Sequence, residues 1–147
     1  EKVIFSGYTP TPLPVSKELP HIAENITAKI HKTALGAEAY LNLAATDNIL
    51  QTLENYREKS FQLVGLENNL DDSRLIRINS PNFHTKIGPK IALVLGEEVD
   101  GIAAELRKKL DVFVEIPMVG RKESFNVSVA TGMILYELKC YNIENRS

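Results

Sequence analysis

The sequence predicts an α/β fold, a mainly parallel sheet with helices on both faces. Three observations predict it. Short apolar strands alternate with amphipathic helices along the chain, the order of a sheet built from strand–helix–strand units. Ile91-Ala92-Leu93-Val94-Leu95 is apolar at every position, as strands are when helices cover both faces. A second strand, Val112 to Ile116, stops at Pro117 and is followed within ten residues by a long helix. With no internal repeat and no composition break, the chain reads as one domain, 1–147.

The elements follow in order. Val3 to Ser6 is a short apolar strand. Gly7 to Pro14 contains three prolines, which lack a donor and restrict their neighbours, so it reads as an extended surface loop. Ser16 to His31 is ambiguous, with a helical turn or two at most, and Thr33 to Ala39 reads as a short helical piece. Tyr40 to Leu43 is a short strand. Thr46 is a suitable N-cap and Asp47 sits where the helix dipole favours an acid. Ile49, Leu50, Leu53 and Tyr56 then follow at helical spacing, and the helix ends near Lys59. Phe61 to Leu66 is a continuous apolar strand. Glu67 to Gly88 is mostly loop, with a brief strand at Leu75 to Ile78. Ile102 to Lys109 is a short helix with Arg107, Lys108 and Lys109 at its carboxyl end, the favourable end for cations. Ser124 is expected to cap the last helix, whose apolar stripe is Val127, Ala130, Ile134, Leu138 and Tyr141.

Composition narrows the function classes. The chain has 147 residues, 44% of them hydrophobic and 24% charged, and a formal net charge of -2. This is ordinary globular composition, so any nucleic-acid footprint must be local. No run of about 18 apolar residues is present, so no membrane span is expected. The single cysteine, Cys140, cannot form an internal disulfide, and a cytoplasmic location is the simplest expectation. His21, His31 and His84 lack metal-ligand spacing, and no metal is expected. There is no G-x-G-x-x-G fingerprint, no phosphate-binding G-x-x-x-x-G-K-[ST] loop and no G-x-S-x-G elbow.

Two segments remain. Leu93 to Ile102 is a buried strand that turns at Gly96 and enters a helix. Ligands of open α/β sheets bind at such carboxyl ends, and a glycine lets backbone approach a ligand. The same residues also read as solvated turn acids, Glu97, Glu98 and Asp100, at a helix start. Ile116 to Ala130 is a strand end, a loop with Gly120, Arg121 and Lys122, and a helix start bearing Ser124, Asn126 and Ser128. Helix amino termini bind anions, so Arg121 and Lys122 beside this one are candidates to hold a phosphate. Plain helix capping explains the polar residues equally well.

Taken together the two segments are more specific. G-x-E-x-x-G-[IL] after an apolar strand, then I-P-M-x-G-x-x-x-S-x-N-V-S-V-A leading into a helix, resembles the second and third motifs of the SpoU (TrmH-like) branch of the SPOUT RNA methyltransferases. The resemblance runs without a gap from about Lys90 to Leu138. It is looser at Gly7 to Pro12 and Lys32 to Glu38.

The resemblance implies a carboxyl-terminal trefoil knot, a homodimer, and S-adenosylmethionine as methyl donor to a ribose 2′-hydroxyl of tRNA or rRNA. It implies cofactor contacts at Leu95, Gly96, Ile116, Met118 and Phe125, with Val119 beside them. Leucine usually stands where this chain has Phe125. Glu98, Ser124 and Asn126 match the polar active-site positions. One motif is missing: the family's N-x-G-x-x-x-R, whose arginine is the usual catalytic residue, is absent from these 147 residues. Together with a first strand only a few residues from Glu1, this implies a domain truncated at its amino end. The alternative is a catalytically silent, knotted RNA-binding or scaffold protein.

Overall fold

The computed structural model describes residues 2–7, 9–97, 99–120, 122 and 124–144, with side chains described through residue 139. The chain divides into two compact units, Glu1–Thr52 and Leu53–Ser147.

In the first unit, β1 (Lys2–Ser6) pairs in parallel with β2 (Asn42–Thr46), Val3 opposite Leu43 and Phe5 opposite Ala45. Between them runs α1 (Pro20–Ala34), a full helix of 15 residues where the sequence predicted a turn or two. Pro20 opens it, with its ring already at a helical φ and no N–H to satisfy. Ala23, Ile26 and Ile30 turn inward at helical spacing, Ala23 fully buried. The expected continuation over Thr33 to Ala39 is broken at Leu35, whose left-handed φ of 52° lets its N–H bond His31 O and end the helix. A 3-10 turn, Ala37–Tyr40, leads into β2. The proline loop is less superficial than expected, because Pro12 is buried.

α2 (Ile49–Glu58) begins two residues later than Thr46 would place it. Asn48 is its cap: the Asn48 Oδ1 accepts the Gln51 N–H at 3.0 Å. Thr46 Oγ1 instead accepts the Asn48 N–H.

The second unit holds a wholly parallel sheet of four strands: β3 (Gln62–Leu66), β4 (Leu75–Arg77), β5 (Ile91–Leu95) and β6 (Val112–Glu115). Their spatial order is β4-β6-β3-β5, with Val64 opposite Leu93 on one side and Val112 on the other. Strand alternation sends Val64, Ile76 and Val114 into one core, with Phe83 of α3 (Phe83–Lys86) and Ile134 of α5 (Val127–Glu144). On the opposite face Gly65 lies against Leu110, Phe113 and Ile102, flanking α4 (Ala104–Arg107). A Cβ on Gly65 would stand 2.7 to 3.0 Å from those three side chains, so this interior position has room for hydrogen only. No helix among the described residues is long and apolar enough to cross a membrane.

Candidate active site

A cleft of about 240 Å³ opens where β3, β5 and β6 end. Parallel strands bring the position about: their carboxyl ends lie together, and the chain leaves each one as a loop. The segment after β5 and the segment after β6 form the walls, and the end of β3 forms the floor.

The β5 loop is a closed turn. Glu97 and Gly101 exchange backbone hydrogen bonds of 3.0 and 3.1 Å. Gly96 is required by that closure: a Cβ on it would stand 2.2 Å from the Gly101 carbonyl carbon. The sequence had suggested that this glycine admits a ligand; its missing side chain admits the chain's own backbone. Gly101 has φ +64°, and a Cβ there would lie 2.4 Å from the Glu67 carboxylate. That carboxylate accepts the Ile102 N–H at 2.7 Å.

The β6 wall is held by the next residue. The Asn68 side-chain amide donates to Ile116 O at 2.9 Å and accepts the Ile116 N–H at 3.0 Å. This double bond to one residue continues the sheet's pattern past the last strand residue. Neither Glu67 nor Asn68 was singled out from sequence. They sit in a polar stretch that reads as loop, and the signal available was only their position directly after a buried strand.

Of the expected cofactor positions, Leu95, Gly96, Ile116 and Phe125 line the cleft. Met118 is half-buried in the segment after β6 but is not on the cleft wall, and Val119 is fully exposed. Ser124 lies on the wall, exposed. It does not cap the last helix, as the sequence had suggested. Asn126 does: its Oδ1 accepts the Ser128 N–H at 3.0 Å, and its carbonyl accepts the Ala130 N–H. The Asn126 side chain is therefore spent on the helix start and is not on the cleft wall. Lys122 is exposed and stands off the wall. Glu98 and Arg121 lie outside the described residues.

The lining has two chemical characters. Leu66, Leu95, Ile116, Phe125 and Val127 supply an apolar surface suited to a flat heterocycle, and Glu97 supplies a carboxylate; the Glu67 carboxylate, also on the wall, is taken up by the Ile102 N–H. No lysine or arginine is among the described lining residues. Such a set fits a ligand with an aromatic base and positive charge, as S-adenosylmethionine has, better than it fits a phosphorylated nucleotide.

The architecture is that of a parallel α/β protein with a cleft at the carboxyl ends of its strands, where such folds bind ligands. Residues 19–136 match the SpoU rRNA Methylase family, and the chain belongs to that family. It is 33% identical over 132 residues to the 23S rRNA (guanosine-2′-O-)-methyltransferase RlmB of Xylella fastidiosa (strain 9a5c), covering 90% of this chain and 48% of that protein. It is 31% identical over 117 residues to the putative TrmH family tRNA/rRNA methyltransferase YacO of Bacillus subtilis (strain 168), covering 79% and 43%. Its fold matches the SpoU methyltransferase AviRb from Streptomyces viridochromogenes, solved in complex with AdoMet, with a TM-score of 0.67 at 22% identity, over 97% of this chain and 48% of that one. The chain thus spans about half the length of these relatives.

Proposed function

We propose that this chain carries the S-adenosylmethionine-binding core of an RNA methyltransferase that modifies a ribose 2′-hydroxyl of rRNA or tRNA. The observation that carries the reading is the cleft itself. Its two walls are the two segments that carry the SpoU motifs, and its lining is apolar and acidic. Family membership and the names of the curated relatives support the reaction type.

Bound in the cleft, S-adenosylmethionine would supply an electrophilic sulfonium methyl, whose transfer to the ribose oxygen would release S-adenosylhomocysteine as the leaving thioether and the hydroxyl proton to solvent. The chain's own contribution is binding and orientation, where most of the acceleration of such an in-line transfer arises. Leu95, Ile116 and Phe125 wall the base, and the closed turn around Gly96 presents fixed backbone groups. Ser124 stands at the exposed edge, where it can touch the cofactor or the substrate hydroxyl. Lys122, which is exposed, is assigned with its sequence neighbour Arg121 to a backbone phosphate of the RNA. The reading includes a trefoil knot in the carboxyl-terminal segment and a cytoplasmic location. It also includes a homodimer, supported by the apolar surface that α5 leaves exposed at Val129, Leu135 and Tyr136, the last 71% exposed.

Calorimetric titration with S-adenosylmethionine and S-adenosylhomocysteine tests the reading first, with sedimentation velocity on the same sample. Saturable binding near one site per chain is the expected result. Methyl incorporation into rRNA and tRNA tests the reaction. Binding without transfer points to the silent scaffold, and no binding by a folded sample overturns the cofactor assignment.

A further inference from the structure

We propose that Glu67 and Asn68 are a pair of positioning residues that set the two walls of the cleft, one residue for each wall. The proposal rests on the S-adenosylmethionine reading for the identity of the ligand, and on geometry alone for the pair itself.

β3 is the inner strand flanked by both β5 and β6, so its end is the one place from which adjacent residues can reach both motif segments. Glu67 is tied to the sheet by its own N–H, which donates to Val114 O at 3.1 Å. From there its carboxylate reaches toward the β5 side and holds the Ile102 N–H. The fit is reciprocal, because Gly101 leaves open the space the carboxylate fills. Asn68 reaches toward the β6 side and takes both backbone groups of Ile116. Ile116 turns its N–H and C=O toward the β3 side, as Val114 turns its carbonyl to Glu67, but β3 ends at Leu66 and offers no further strand residue there. A side-chain amide, with one donor and one acceptor side by side, is the group that can substitute for the missing strand.

The consequence concerns the ligand. A loop that binds through some of its backbone groups holds them in place when the neighbouring N–H and C=O groups are already bonded within the protein. Glu67 holds its wall by one charge-assisted bond and Asn68 holds the other by two neutral ones. Neither residue needs to touch the transferred group to affect its binding.

The test has a readout without ligand and one with it. Amide hydrogen exchange is measured in the wild-type chain and in Glu67→Ala, Glu67→Gln and Asn68→Ala. In Glu67→Ala the Ile102 amide is expected to exchange at least tenfold faster while the Ile116 amide is unchanged. Asn68→Ala is expected to give the reverse. Glu67→Gln keeps an acceptor and should restore Ile102 protection to within about threefold. Calorimetry should then show S-adenosylmethionine affinity reduced at least tenfold in Glu67→Ala and largely recovered in Glu67→Gln. A purely structural role would lower stability without this separation of amides and without rescue. Unchanged Ile102 exchange in Glu67→Ala overturns the proposal, as does loss of Ile102 protection in Glu67→Gln should the alanine variant fail to fold. Equal affinity of wild type and Glu67→Ala overturns its link to the ligand. If the folded wild type binds no S-adenosylmethionine, the cofactor reading fails, and the exchange data still decide whether the clamps exist.

Discussion

Asn126 holds the start of the last helix through Ser128: the Asn126 Oδ1 accepts both the Ser128 N–H and the Ser128 hydroxyl, at 3.0 and 2.5 Å. An asparagine also caps α2, where the Asn48 Oδ1 accepts the Gln51 N–H, three residues on. In both places a hydroxyl residue stands two positions ahead of the asparagine, and in both the helix starts after the asparagine.

Asn126→Ala is therefore expected to destabilise the fold by about 1 kcal/mol, the usual cost of a lost cap. That is a fall in Tm of roughly 3 °C for a chain of this size. Asn126→Asp, a cap of equal quality, should keep Tm. Thermal denaturation of both variants checks this; equal losses would mean that the cap is not what Asn126 contributes to stability.

Gly96→Ala and Gly65→Ala are expected to part company. At Gly96 the new methyl meets backbone at 2.2 Å, which can yield only by opening the Glu97–Gly101 turn. At Gly65 it meets the buried side chains of Leu110, Phe113 and Ile102 at 2.7 to 3.0 Å, and the core must repack around it. Gly65→Ala should cost about 1–3 kcal/mol of stability by overpacking and spare ligand affinity. Gly96→Ala should cut S-adenosylmethionine affinity at least tenfold. Urea denaturation beside calorimetry separates the two, and a Gly96→Ala variant that binds like wild type would refute the role given to the turn.

Asp72 makes a two-pronged pair with Arg74, through bonds of 2.9 and 2.6 Å. The Arg74 side chain, with the Arg74 N–H, holds the Asp72 carboxyl at about 2, below its ordinary 3.8. A carboxyl with a depressed pKa in the fold binds fewer protons there than in the unfolded chain. Its contribution to stability is thus complete above about pH 4 and is lost as pH falls through about 2. Asp72→Asn should be less stable than wild type at pH 5, with the gap closing between pH 4 and 2. Denaturation midpoints across that window check the sign. Arg74 also donates to Leu110 O and lies over the Phe113 ring, so Arg74→Ala should lose more than the pair alone.

Lys122 bears on the RNA side of the proposal. If it neutralises one phosphate, Lys122→Ala should weaken RNA binding at low salt. It should also lower the slope of log affinity against log salt by about 1. Fluorescence anisotropy with an rRNA fragment at several salt concentrations measures it, and an unchanged slope would remove Lys122 from the RNA interface.

Much of this protein was written locally. Ile91 to Leu95 and Val112 to Glu115 could be read as buried parallel strands because neither face carries a polar residue until Glu115. Gly96 and Ser124 could be read as site residues because strand ends and helix starts are local signals, whereas Ile116 and Phe125 came from the resemblance to the SpoU motifs. α1 was underread because its inward positions, Ala23, Ile26 and Ile30, are diluted by asparagine, threonine, histidine and lysine. Its helicity rests on burial of that narrow stripe, which short-range propensity does not report.

Other features depended on the fold. Ser124 and Asn126 have nearly equal capping ability, so sequence could not choose between them. The fold chose by placing Ser124 and Phe125 on the cleft wall and starting the helix after Asn126. Nor could spacing reveal that Glu67 meets Ile102, or Asn68 Ile116, across 35 and 48 residues. Those contacts exist because β3 lies between two strands that follow it in the chain. A strand's apolar pattern states that it is buried; which neighbours it has is decided by how the whole sheet packs.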